Sequence, residues 1–127
     1  MHLSKHDIPV KIDAPGATAR QATGFGGDPD TIGAEFFTMA AGTDLAPLLE
    51  GLHDDACHSV HWGYMIEGDV VVTYTDGTDE RCVAGDVFFW PAGHSVRVDR
   101  DAEIILFSPQ AEHTAVMDHI LGKLTSA

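Results

Sequence analysis

Hydrophobic and polar positions keep a strand-like period through the middle of the chain and change to a helical one only near its end. The runs "VHWGYMI", "DVVVTY", "ERCVAG", "DVFFWPAG", "HSVRV" and "AEIILFS" are rich in β-branched and aromatic residues. They are punctuated by Glu67-Gly68, Asp76-Gly77, Ala84-Gly85 and Asp99-Arg100-Asp101. Runs of this kind separated by turn residues predict short strands. Asp76-Gly77 reads as a hairpin turn. "ERCVAG" and "DVFFWPAG" read as the next pair, and the last two runs as strands split by the polar break. Upstream, "IPVKI" and "GAEFFTMAAG" read as strands, and "APGATARQATGFGGDPD" as loop with room for one strand. In "TDLAPLLEGLHDD" Pro47 argues against a continuous helix, so the leucines form an irregular cover. Met117, Ile120, Leu121 and Leu124 then fall at i, i+3, i+4, i+7, one face of a helix. It is expected over about residues 110–124, roughly three turns, with Ser108-Pro109 as its cap and first-turn proline. The expected class is all-β, a small sandwich or barrel closed by a short C-terminal α-helix.

Composition narrows the functions. With 127 residues, the chain suits one domain around one core. Its formal charge of −13, from 7 basic and 20 acidic residues, argues against nucleic acid and against an anionic membrane surface. No apolar run is long enough for a transmembrane helix, and "MHLSKHDIPVKIDAPG" lacks the apolar segment of a signal peptide. A cytoplasmic protein is expected, with Cys57 and Cys82 both reduced.

Two segments carry a family pattern. "YMIEGDVVV" resembles the core of the first cupin motif, a strand ending in a glycine turn before a second strand. "GDVFFWPAG" resembles the start of the second: Gly85, five residues, Pro91, one residue, Gly93. The resemblance implies a cupin double-stranded β-helix, a jelly-roll barrel, over about residues 33–108 of a single domain spanning 1–127. An N-terminal arm (1–32) and the final helix lie outside that core. It further implies a small molecule bound in the barrel, often with a metal, and chemistry of dioxygenase, isomerase or decarboxylase type. Pairing of subunits into a homodimer is also implied. The apolar stretches "FFTMA" and "APLLEGL" add to that expectation, since so small a barrel cannot bury them all inside.

The metal-binding form of the first motif has two histidines two residues apart and a glutamate four residues later. Anchored on Tyr64 and Gly68, those positions hold Asp55, Cys57 and His61. The second motif's histidine position holds Val96, whereas His94 follows Gly93 directly. A metal here therefore needs a rearranged set of ligands. Strand alternation puts Cys57, Ser59 and His61 on one face and His58 on the other unless a bulge intervenes. In the cupin arrangement that face is the barrel interior, which His94 can also enter. Cys57, His61 and His94 are thus the candidate metal ligands, with zinc or iron first among divalent transition metals. Asp55 is a fourth ligand or a hydrogen-bond partner of one.

Simpler readings stand beside this one. A buried cysteine is usually a small apolar filler, and a buried histidine is often held by hydrogen bonds alone. That gives a metal-free ligand-binding or sensory module, or a structural dimer with a filled barrel. His53 and His58 are weaker candidates. His2, His6, His113 and His119 read as exposed or helix-surface residues, and Glu67 as exposed in a turn. Trp90 is expected either at the pocket mouth or packed under the Pro91-Ala92-Gly93 turn.

Overall fold

The computed structural model describes residues 1–27 and 31–125. Residues 28–30, part of the loop expected between the first strands, lie outside the described residues. The elements in chain order are β1 (Val10–Ala14), β2 (Ala17–Ala22), β3 (Ile32–Met39), α1 (Ala46–Leu49), β4 (His61–Tyr74), β5 (Asp79–Val83), β6 (Val87–Trp90), β7 (His94–Pro109) and α2 (Gln110–Thr125). All strand pairs are antiparallel, in the order β1-β2-β3-β7-β4-β5, with β6 also on β4.

The strands are longer and fewer than the sequence pattern suggests. Glu67-Gly68 does not turn the chain. It lies inside the 14-residue β4, where the register against β7 shifts between Met65 and Val70. Before the bulge the inward residues are His61 and Met65; after it they include Val70 and Val72. The irregularity thus reverses parity and bends the strand. Gly68 has φ +95°, and a Cβ there would collide with the backbone of Asp101 and Ala102, so only glycine fits. Asp99-Arg100-Asp101 likewise does not break β7, which runs 16 residues with its even-numbered positions mostly inward.

β5 and β6 do not pair with each other. Both lie on one edge of β4, β5 along Asp69–Thr73 and β6 along His61–Tyr64, with Ala84-Gly85-Asp86 between them. The Asp76-Gly77 hairpin joins β4 to β5. One apolar cluster gathers Met39, Met65, Val72, Phe88, Val98, Ile104 and Leu106 from β3, β4, β6 and β7, so the sheet closes on its own inner face.

The irregular cover over residues 43–55 contains one helical turn, α1, with Pro47 in its first positions, and a 3-10 turn at His53–Asp55. Leu49 is buried against Val116, Met117 and Ile120 of α2, in a second apolar layer with Ile12, Ala19 and Cys57. "FFTMA" and "APLLEGL" are therefore largely covered within the chain: Phe36, Met39 and Leu49 are buried. Ser108 and Pro109 end β7 and do not cap α2 as expected. The buried side of α2 is His113, Val116, Met117 and Ile120, while Leu124 is exposed.

Candidate metal centre

Backbone pairing draws the three candidate ligands together. Cys57 forms an isolated antiparallel bridge with His94: its N–H donates to the His94 carbonyl at 2.8 Å, and the Gly93 N–H donates back to Cys57 at 2.8 Å. His61 opens β4 opposite Trp90, the last residue of β6. The Pro91-Ala92-Gly93 turn, with Gly93 at φ +89°, returns the chain so that His94 opens β7. His94 and Val96 are two residues apart on one strand and both point inward. This is the physical reason a histidine two positions early still reaches the interior.

Cys57, His61 and His94 are all buried. One donor atom from each lies within 4.8 Å of the others. Cys57 Sγ is 3.5 Å from His61 Nε2. Metal–sulfur and metal–nitrogen bonds of about 2.0–2.3 Å place two ligand atoms at most about 4.6 Å apart, so that spacing suits a shared ion.

Hydrogen bonds outside the trio fix which nitrogens are free. His94 Nδ1 lies 2.7 Å from the Pro91 carbonyl, which can only accept, so Nδ1 carries the proton and Nε2 a lone pair. Ser108 donates to Glu35 Oε1 at 2.5 Å. Its oxygen therefore accepts from His61 Nδ1, 2.6 Å away, which leaves the lone pair of His61 on Nε2, toward Cys57. Orientation of a ligating histidine through its other nitrogen is how proteins hold imidazoles for a metal. Here the carboxyl acts through a serine.

Burial sets the charge of the trio. Burial, with the Glu35 carboxylate adding to it, pushes the Cys57 thiol up to about 12, against a backbone hydrogen bond of Ser59 that lowers it. Burial, then His113 and His94, holds His61 well below the usual histidine range. Burial lowers His94 to about 4, against the bond to Pro91. Without a cation the trio is a thiol and two neutral imidazoles. With one, the imidazole lone pairs are already available and only the thiol must lose a proton.

The remaining sequence candidates go elsewhere. Asp55 is exposed and its carboxylate accepts from the Gly51 N–H at 2.9 Å, so it neither ligates nor supports the trio. His53 is exposed beside Asp54 at 3.3 Å. His58 is half-buried and outside the donor cluster. Glu67 is exposed, though on a strand. Trp90 is buried, stacks on Phe88 at 3.9 Å and meets the His61 ring edge-on at 6.1 Å, so it walls the site from beneath the turn. His113 is not a surface residue. It is buried, its Nδ1 donates to Glu35 Oε2, and its ring lies 4.3 Å from that of His61.

Glu35, Ser108 and His113 were missed in the sequence. Glu35 is buried on β3, where Gln21 Nε2 also donates to it at 3.2 Å. The signals were a lone carboxylate inside "GAEFFTMA" and a histidine four residues before Met117 on the apolar face of the helix. Glu35, His61 and His113 form a second donor cluster, with atoms within 4.8 Å. Both Glu35 oxygens and the Nδ1 atoms of His61 and His113 are engaged within the network of Glu35, Ser108 and Gln21, so this group supports the first.

No family model matches the chain, and no curated protein does. Solved structures do. Oxalate decarboxylase from Bacillus subtilis superposes with a TM-score of 0.63 at 23% identity, over 84% of this chain and 28% of its own. Another structure of the enzyme, at 24% identity, concerns its Mn(II) centres. Oxalate decarboxylase from Lactobacillus farciminis gives 0.60 at 22% identity, over 84% and 32%. The polyketide cyclase RemF from Streptomyces resistomycificus gives 0.63 at 16% identity, over 87% and 79%. The chain has the cupin fold. It spans about a quarter to a third of the oxalate decarboxylase chains but most of the length of RemF. On this cupin barrel Cys57, His61 and His94 are buried together, Val96 is buried without a donor atom, and Asp55 is exposed. Among the described residues no helix is long and apolar enough to cross a membrane.

Proposed function

We propose that Cys57, His61 and His94 hold a divalent transition metal, zinc or iron before others, and that a small organic molecule binds beside it in the barrel. The observation that carries this reading is the lone-pair arrangement: external hydrogen bonds leave Nε2 free on both histidines, and the His61 lone pair meets a buried thiol. The donor set fits a soft or borderline metal better than the Mn(II) of oxalate decarboxylase, because a thiolate favours zinc or iron. When bound, such a metal supplies Lewis-acid or oxygen-activating chemistry, as dioxygenase, isomerase or decarboxylase reactions require. The chain's own part is to orient the imidazoles, exclude water and release one proton from Cys57.

A metal-free ligand-binding or sensory module is the second reading. The hydrogen bonds from Cys57 through His61 and Ser108 to Glu35, complete among protein atoms alone, favour it. Metal analysis of protein made without a polyhistidine tag separates the two. Stoichiometric metal in the wild type and in His58→Ala, with loss in His61→Ala, supports the metal centre. Absence of metal from all three supports the second reading. We further infer a homodimer in a reducing cytoplasm. The dimer rests on the outer face of β4, β6 and β7, where Trp62, Tyr64, Val87, Phe89 and Phe107 are exposed side by side.

A further inference from the structure

A cavity of about 170 Å³ opens from the three candidate ligands toward β1, β2 and the helices. Cys57, His61, His94 and His113 line one end. The rest is mainly hydrocarbon, with Ile12, Ala19, Phe37, Leu49, Val116 and Met117 among its walls. Among the described residues no Lys, Arg, Asp or Glu lines it.

We infer that the cavity takes a neutral, mainly apolar molecule of about one ring in size, with a single hydroxyl or carbonyl oxygen directed at the Cys57–His61–His94 end. This rests on the reading of the barrel as a small-molecule site, but it fixes the ligand class separately from the metal. Size sets the first limit: an apolar cavity of about 150 Å³ is known to hold benzene. Charge sets the second. A dicarboxylate such as oxalate would leave water for a hydrocarbon-lined space with no cationic side chain. A bound divalent metal offers its only compensation, part of which the Cys57 thiolate already takes. A ring with one neutral oxygen carries no such cost. Cys57, His61, His94 and His113 offer it a cluster of polar atoms, and apart from the scattered hydroxyls of Thr18, Thr43 and Ser95 the other walls are apolar. Oxalate as a ligand therefore does not transfer with the fold.

Calorimetric titration of the full chain, metal-free and zinc-loaded, with p-cresol and with oxalate tests this. The expected result is saturable binding of one p-cresol per chain in both forms and no binding of oxalate to either. Ala19→Leu places extra carbons between Ile12 and Phe37, its neighbours across the sheet. It should weaken p-cresol at least tenfold while leaving zinc uptake intact. Met117→Ala, which enlarges the cavity, should raise the affinity for 2-naphthol relative to p-cresol, and serves if Ala19→Leu does not fold. Oxalate binding with p-cresol silent overturns the inference, as does zinc uptake with neither molecule bound, or p-cresol binding unaffected by either variant. Binding of p-cresol by a chain that takes up no zinc upholds the ligand class while the metal reading fails.

Discussion

Single side chains decide the charge of the candidate centre, and pH reads them out. His94 is lowered from 6.5 to about 4, and His61 is lowered as well. Both are neutral when folded and protonated when unfolded in mild acid. Their stabilisation is present above about pH 6.5 and is lost as pH falls toward 4. At about 1.4 kcal/mol per pH unit, His94 alone should cost the metal-free protein about 3 kcal/mol over that range. Cys57 acts on the other side. Raised from 9.0 to about 12, it keeps its proton when folded, so stability falls as pH rises above 9. Chemical denaturation from pH 4 to 10 should give a plateau between about pH 6.5 and 9 for this contribution; stability that holds or increases as the pH is lowered from 6 to 4 would contradict the neutral histidines. Metal affinity follows the same logic. One thiol proton leaves on binding, so the apparent affinity should rise about tenfold per pH unit across the plateau. Ser108→Ala removes the partner that fixes His61 Nδ1–H and should lower metal affinity by about 10- to 100-fold, measured by competition with a chelator.

At the scale of elements, turns and register do the positioning. Gly68→Ala should destabilise the protein by about 3 kcal/mol or more in urea unfolding, because the position has φ +95° and its Cβ would meet the backbone of Asp101 and Ala102. An unchanged midpoint would mean that β4 and β7 are not held this closely. The same bulge explains what could and could not be read in the sequence. Alternation identified the strands. Parity was less apt for Cys57: it lies outside β4, and its isolated bridge to His94, not the pleat, brings it beside His61. Local pattern cannot tell a turn from a bulge at Glu67-Gly68, since both call for a glycine at positive φ. Nor does it reveal that β5 and β6 share one edge of β4, which is a long-range pairing. Glu35, Ser108 and His113 went unread for the same reason: they are 73 and 78 residues apart along the chain and meet only in the fold. Cover of the polar end by α2 then follows from one apolar stripe with a histidine at its start.

The whole molecule is an acidic cupin barrel with a mainly apolar cavity and a soft donor set at its polar end. Its exposed aromatic face should pair with the same face of a second copy. Light scattering should therefore give the dimer mass, and Trp62→Glu with Phe89→Glu the monomer mass, with the fold intact by circular dichroism. A wild-type monomer across dilution would contradict the pairing. Whether Cys57, His61 and His94 hold one metal is read by cobalt(II) titration followed by absorbance, because only a thiolate ligand gives an intense sulfur-to-cobalt charge-transfer band. Saturation at one cobalt per chain is expected, with that band present, lost in Cys57→Ser and kept in Asp55→Asn. No band in the wild type, or a band that survives Cys57→Ser, would contradict it.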